Sequence, residues 1–110
     1  MANTFKNAAL ADVNNAAYDT LYTAPASTTT VVLGLAIANK TAQAVTVKVQ
    51  FNDSSAATTH QLLDDVAIPS DTTLETLAGQ KYILETGDSL KVQSGTASAL
   101  DVVLGVMEIT

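Results

Sequence analysis

Apolar and polar residues alternate with a period of two through most of the chain, beginning near residue 18. The clearest run is residues 45–51, where three valines and a phenylalanine are separated by threonine, lysine and glutamine. Because successive side chains of a strand point to opposite faces, this run predicts a strand with one buried and one solvated face. Residues 99–109 predict a second long strand, apolar on both sides, with Val102, Leu104 and Val106 on one side and Val103, Gly105, Met107 and Ile109 on the other.

The most apolar segment is residues 31–39. Its alternate positions separate large side chains from smaller ones: Val31, Leu33, Leu35 and Ile37 against Val32, Gly34, Ala36 and Ala38. An apolar pattern on both faces predicts a central strand, and the small-residue face allows another sheet or subunit to approach closely. We expect this strand to form an antiparallel hairpin with residues 45–51, across a turn at 39–41.

Turn signals divide the rest of the chain into further short strands. Asp64-Asp65 interrupts the run 58–68 and predicts a bulge or bend, and residues 72–77 fit a short edge strand. The triplet Thr86-Gly87-Asp88 predicts a tight hairpin turn, with its glycine at positive φ, between strands at 82–85 and 89–93. Strands spaced roughly 8–12 residues apart are typical of all-β sandwiches and barrels. The predicted fold is an antiparallel β-sandwich or jelly roll of about eight strands.

Residues 1–17 lack the alternation and are rich in asparagine and alanine. We interpret them as an extended N-terminal arm, either disordered or ordered by lying along a neighbour. Phe5 and Leu10 are its large apolar side chains. The predicted organisation is therefore an arm at 1–17 and one β-sandwich domain at 18–110, which is a usual size for a single domain.

Composition narrows the classes of partner. Charged residues make up 15% of the chain, the net charge is −6, and the cations are five lysines without arginine. Nucleic-acid binding needs a dense cationic surface, so no nucleic-acid partner is expected. A charge-poor surface is cheap to desolvate and suits a subunit of an assembly. The chain shows no signal-peptide pattern and no long apolar run, so we expect no membrane partner.

Residues that could carry chemistry are few and poorly placed. The chain has no cysteine, which excludes thiolate metal sites. It has one histidine, His60, and a single histidine cannot supply the ligands of a facial metal site. Asp64, Asp65 and Asp71 match no calcium-loop spacing. The tyrosines at 18, 22 and 82 fit core-rim packing better than a sugar-binding platform. We therefore expect no catalytic residue, cofactor or metal, and no enzymatic activity.

Four segments resemble one group of proteins: LYTAPA at 21–26, VVLGLAIAN at 31–39, LETGDSLKVQS at 84–94 and VMEI at 106–109. They are similar to small all-β virion structural proteins, decoration-like proteins of tailed phages, particularly phages of cyanobacteria. The resemblance covers about residues 18–109 and consists of turns and strands. It implies a particle component and carries over no active-site residue.

The favoured function is a capsid decoration (cement) protein that binds the outer surface of the head and bridges subunits of the major capsid protein. It would belong to the virion, assembled in the host cytoplasm, and we expect a homo-oligomer, with a trimer favoured. The candidate contact residues are Phe5, Leu10, Val32, Gly34, Ala36 and Ala38. The alternative is a tail, neck or fibre module of the same particle with glycan binding through tyrosines. A small hydrolase is a remote third.

Overall fold

Every regular element of the chain is a β-strand in the computed structural model, which describes residues 2–75 and 82–110. The strands are β1 (Asn3–Leu10), β2 (Asp19–Thr23), β3 (Thr29–Asn39), β4 (Val45–Asp53), β5 (Thr58–Ile68), β6 (Thr73–Glu75), β7 (Tyr82–Leu84), β8 (Ser89–Ser94) and β9 (Leu100–Ile109). The all-β class is confirmed. Within the described ranges, no helix is long and apolar enough to cross a membrane.

The strands form two antiparallel sheets that pack face to face. The first has the order β1-β9-β3-β6, with β7 also pairing with β3, and the second has the order β2-β8-β4-β5. The chain repeatedly crosses from one sheet to the other, so most neighbours in a sheet are distant in sequence. This order is that of a jelly roll, one of the two architectures that the sequence predicted.

The core lies between the sheets and is made of aliphatic side chains at alternate strand positions. Its largest fully buried members are Ile37, Ile68, Leu84, Leu90, Leu100, Leu104, Val13, Val32, Val47, Val49, Val92 and Val102. Each such side chain contributes about 1.5–3 kcal/mol when removed from water. Of the residues predicted on the buried face of β4, the three valines belong to this core and Phe51 is partly buried and packs against it.

The hairpin predicted between residues 31–39 and 45–51 is wrong. Both strands exist, but β3 lies in the first sheet and β4 in the second. Asn39 marks the crossing: its side-chain amide donates to the carbonyl oxygens of Gln43 and Ile68, at 2.8 and 3.0 Å. Alternation locates a strand but does not encode its partner. Here β3 pairs with β6, β7 and β9, and β4 pairs with β5 and β8.

The second predicted hairpin is also wrong in its pairing. Strands occur on both sides of Gly87, whose φ of 88° confirms the expected positive value. However, β7 pairs with β3 and β8 pairs with β2 and β4, so the turn joins the two sheets. A Cβ at Gly87 would lie 2.7 Å from the Ser54 hydroxyl oxygen, which adds a steric reason for glycine.

The N-terminal segment differs from the predicted arm. Residues 3–10 form β1, which pairs with β9 in an unbroken register from Asn3–Ile109 to Leu10–Val102. Val13 then enters the core fully buried and donates its amide to the Leu100 carbonyl at 2.9 Å. The N-terminal segment is thus ordered by β9 of its own chain and not by a neighbouring molecule.

Two bulges change which side chains face inward. Asp64-Asp65 lies at an irregularity of the β4–β5 ladder, as predicted, and Asp65 has a φ of 54°. An unpredicted shift falls between Val32 and Gly34 in the β3–β9 ladder. It turns Val32 into the core and Leu33 to the outside, against the simple alternation. The end of the predicted strand 72–77, at residues 76 and 77, lies outside the described residues.

Candidate docking face

The outer surface of the first sheet holds the exposed large hydrophobic side chains of the described residues. They are Phe5, 72% exposed, Val103 at 53%, Ile83 at 52% and Leu33 at 40%. They come from four strands, β1, β9, β7 and β3, which the pairing places side by side. We call this surface, with Val31 and Met107, the apolar face.

Strand register aligns part of the apolar face into one row. Phe5 is opposite Met107, Met107 is opposite Val31, and Val31 is opposite Ile83. Side chains opposite each other on one face of a sheet lie about 5 Å apart, so the row is a continuous apolar ridge across the sheet. No single segment of the sequence contains it, because its four members come from four strands.

Two paired glycines flatten the middle of the apolar face. Gly34 of β3 is opposite Gly105 of β9, and a Cβ built on either one meets no atom within 4 Å. Neither glycine is therefore required by packing inside the described part of the chain. A glycine in the interior of a strand weakens the strand and often marks a place where another backbone approaches closely. The apolar face thus has a raised ridge and an adjoining flat area.

The opposite outer surface is polar. On β4 the outward side chains are Thr46, Lys48, Gln50 and Asn52, and Lys91 and Gln93 of β8 lie beside them. Lys48 also lies 3.6 Å from an Asp64 carboxylate oxygen and 3.7 Å from one of Asp65. Such charges are costly to desolvate, whereas the apolar face loses little on leaving water. The two faces of the sandwich are therefore suited to different environments.

A cluster of ion pairs bounds the apolar face at the Asp101 end of β9. The Lys40 ammonium contacts Asp12 and lies 2.9 Å from an Asp101 carboxylate oxygen. The bond from Lys40 and the Asp12 amide lower the pKa of Asp101, and the two carboxylates raise the pKa of Lys40. These charges lie at the periphery, so the centre of the apolar face carries none of them.

The predicted contact residues have different locations. Phe5, Gly34, Ala36 and Ala38 lie on the outer side of the first sheet. Val32 is fully buried, because the bulge turns it inward, so it is a core residue in this domain. Leu10 is partly buried and packs against the core of its own chain.

Other members of the apolar face were not among the predicted contacts: Val31, Leu33, Ile83, Val103, Gly105 and Met107. The alternation of β9 places Val103, Gly105 and Met107 on one side, which was a usable signal. For Ile83 the sequence offered none, because its place beside Val31 depends on a pairing between distant strands.

A polar cluster links the two sheets at one end of the sandwich. Glu108 of β9 is 5% exposed, and it accepts hydrogen bonds from the Tyr22 hydroxyl at 2.5 Å and the Lys6 ammonium at 2.9 Å. The Tyr22 hydroxyl is also 2.9 Å from the Thr30 hydroxyl. Burial, followed by the bond to Glu108, raises the pKa of Tyr22 to about 12. The bond from Tyr22 and then that from Lys6 lower the pKa of Glu108.

This cluster holds the carboxyl ionised and the phenol protonated at neutral pH. Neither group has a pKa near neutrality, which a general acid or base requires for efficient proton transfer. The arrangement ties β2, of the second sheet, to β1, β3 and β9 of the first. Its chemistry is that of a structural link between sheets.

The remaining candidate residues are scattered. His60 is exposed near the β4–β5 turn, with its Nε2 3.1 Å from the Thr58 hydroxyl. Asp88 is buried and accepts from the amides of Ser54 and Glu85, both at 3.0 Å, so it orders two loops. Among residues 2–75 and 82–110, no group of three or more His, Asp or Glu side chains is placed to hold a metal ion.

The tyrosines do not meet on one surface. Tyr22 and Tyr82 pack against the core, while Tyr18 is 3.4 Å from the Gln61 side-chain oxygen at the edge of the second sheet. The structure therefore does not assemble the three rings into one platform.

Comparison with known proteins finds similarity in structure and not in sequence. No protein-family model matches the chain, and no curated protein matches it. A pilus protein of Bacillus endospore appendages superposes with a TM-score of 0.58 and 9% identity, over 98% of this chain and 88% of that one. VP2 of the infectious bursal disease virus subviral particle superposes with a TM-score of 0.56 and 7% identity, over 96% of this chain.

At these identities the likeness concerns the fold alone. The chain spans only 32% of the length of VP2, so it corresponds to one part of that protein. It spans most of the pilus protein.

Proposed function

We propose that this protein is a non-enzymatic structural subunit that attaches to a larger particle through the apolar face. The observation that carries the proposal is the clustering of Phe5, Leu33, Ile83 and Val103 on one sheet surface while the opposite surface is polar. Exposed contiguous apolar surface is typical of protein–protein contact sites. The flat area at Gly34 and Gly105 permits close approach by a partner.

The specific assignment that we propose is a capsid decoration protein of a virion, with the major capsid protein as its partner. Two features support it beyond the apolar face. The sequence resembles small virion proteins of tailed phages, and the fold resembles proteins from a pilus and a subviral particle. Affinity would come from the ridge of Phe5, Met107, Val31 and Ile83, because a few buried anchors supply most of the energy of an interface.

The test replaces Gly105 by valine. A Cβ at this position meets nothing within 4 Å in the chain itself, and a β-branched residue suits a strand, so the isolated protein should be as stable as wild type or more so. Bound to a particle, the same side chain would hold the partner surface away. We expect G105V to fold normally and to be depleted from purified particles, measured by gel densitometry after sedimentation.

A matched control introduces valine on the polar surface. Gln50 lies on the outer side of β4, between Gln61 and Lys91, so Q50V adds similar bulk to the opposite sheet. It should be incorporated at the wild-type level. Equal incorporation of G105V and wild type would overturn the docking assignment.

Copy number separates the head from the tail. A decoration protein occupies many equivalent sites of the shell and should reach hundreds of copies per particle, whereas a tail, neck or fibre module is present in about a dozen, as follows from the symmetry of closed and cyclic assemblies. The same densitometry gives this number for the wild-type protein. A count near a dozen would replace the decoration assignment by the tail module.

A further inference from the structure

The sheet edges of the described residues differ in how well they are protected against pairing with another chain. The edge strands of the second sheet, β2 and β5, both carry register irregularities. On the far edge of the first sheet, β6 and β7 have three residues each. Bulges and short strands are common devices that block edge-to-edge pairing. By contrast, β1 has eight residues in an unbroken register.

The alternation of hydrogen-bonded and non-hydrogen-bonded pairs along the β1–β9 ladder shows which backbone groups of β1 are free. Ala2 and Thr110 exchange both backbone bonds, at 3.1 and 2.9 Å. In an antiparallel ladder, bonded and non-bonded pairs alternate. Even-numbered residues of β1 therefore bond to β9, while the amide and carbonyl groups of Asn3, Phe5, Asn7 and Ala9 point away from the sheet. This free edge is an open antiparallel template.

We propose that two copies of the chain pair through β1, antiparallel, about a two-fold axis at Phe5. Phe5 then exchanges backbone hydrogen bonds with Phe5 of the second copy. Asn3 exchanges them with Asn7 of the second copy, and the reverse pair forms by symmetry. The two first sheets become one continuous sheet.

The side chains of β1 select this register among the symmetric ones. An axis at Lys6 would place two lysines opposite each other, and like charges at such positions are destabilising. An axis at Asn7 would pair Phe5 with Ala9. The axis at Phe5 places two aromatic rings together and leaves each Lys6 opposite a threonine. Both rings lie on the apolar face, so the faces of the two copies join into one surface.

The dimer is independent of the proposed function, because its hydrogen bonds use the β1 edge and not the apolar face, and its partner is a second copy of the chain. It also differs from the trimer expected from the sequence. If both proposals hold, each dimer presents two apolar faces and gains avidity on a particle with repeated sites.

Cysteine cross-linking tests the register. The natural chain has no cysteine, so a single substitution gives an unambiguous readout. In F5C the two thiols face each other across the axis, where bonded pairs have Cα atoms about 5.5 Å apart, within the range that a disulfide spans. We expect F5C to form a covalent dimer on mild oxidation, seen on a non-reducing gel. The matched control is A9C, whose two thiols would lie at opposite ends of the paired segment, so it should form no covalent dimer.

A second variant removes the free edge without disturbing the fold. In N7P the lost amide hydrogen points away from β9, so the pairing of β1 within the chain is kept, and proline is tolerated on edge strands. Sedimentation equilibrium should show a concentration-dependent dimer for wild type and for G105V, and a monomer for N7P. G105V thereby separates the dimer from the docking proposal.

Three results would each overturn the dimer: wild type monomeric up to millimolar concentration, F5C that does not cross-link, or A9C that cross-links as well as F5C. If N7P fails to fold, by circular dichroism, the F5C and A9C pair still decides.

Discussion

At the scale of single residues, Tyr22 is the most informative side chain of this protein. Its hydroxyl joins Thr30 and Glu108, and through Glu108 it connects to Lys6. The Glu108 carboxylate lies almost wholly out of water, so its charged form is stabilised by the hydrogen bonds that Tyr22 and Lys6 donate to it. Nothing in the local sequence around Tyr22 indicates that its partner lies 86 residues away.

Replacing Tyr22 by phenylalanine should destabilise the fold measurably. Y22F keeps the ring but leaves Glu108 short of a donor, and such a loss costs about 1–3 kcal/mol of unfolding free energy. Urea denaturation at neutral pH gives the value. The control is Y18F, whose hydroxyl meets Gln61 at an exposed site and whose loss should change stability by less than about 0.5 kcal/mol.

The pH dependence tests the same cluster. Because the folded-state pKa of Glu108 is lowered from 4.5, its contribution is present above that pH and is lost as the pH falls through the folded-state value. The bond from Tyr22 is the largest cause of the lowering. The stability gap between wild type and Y22F should therefore narrow in acid, and a gap independent of pH would contradict the role given to Glu108.

At the scale of elements, β1 shows how pairing gives a weak segment its structure. Its sequence, NTFKNAAL, has no strong strand pattern, and its burial is slight. It is ordered by the ladder to β9, the Lys6–Glu108 bond and the burial of Val13 that follows it. An isolated segment of this composition has too little apolar surface to fold, so the order comes from the rest of the sheet.

Deleting residues 1–10 should therefore lower the melting temperature substantially, by about 10 °C or more, which for a domain of this size corresponds to roughly 2 kcal/mol. Calorimetry or thermal circular dichroism measures it. The control is F5S, which keeps the β1 backbone and alters a side chain that is 72% exposed, so its melting temperature should stay within a few degrees. A truncated protein with wild-type stability would show that β1 is dispensable, as expected of a detachable arm.

The elements also show which sequence signals were sufficient. The run at β4 was predicted with its inward face, because alternation and burial are both local properties of a strand. The bulge at Asp64-Asp65 was predicted because two adjacent carboxylates cannot both continue an apolar face. The bulge after Val32 was missed, since an all-apolar segment gives no sign of a change of phase.

At the scale of the whole molecule, the jelly roll separates two surfaces of opposite character. The first sheet turns its apolar face outward and the second its polar face, while both share one aliphatic core. This separation is the property on which the docking proposal rests. It arises because strands from distant parts of the chain contribute their outward residues to a common surface.

The same topology predicts slow folding. Apart from the β4–β5 pair, strand neighbours are far apart in sequence, with β1 and β9 bringing Asn3 beside Ile109. Loop closure must precede these contacts, so refolding should take milliseconds to seconds, as in other β-sandwiches. Stopped-flow dilution from urea, followed by tyrosine fluorescence, measures it. Refolding complete within microseconds would contradict the topology.

The all-β class, the positions of most strands, the positive φ at Gly87 and the buried face of β4 could be predicted from the sequence, because they follow from alternation and turn chemistry over a few residues. The pairing of strands, the rest of the core, the place of β1 in the first sheet, the Tyr22–Glu108 link and the apolar face depend on the tertiary structure. Each of these joins residues that are distant in sequence, and their proximity depends on the packing free energy of the whole domain, which no local pattern records.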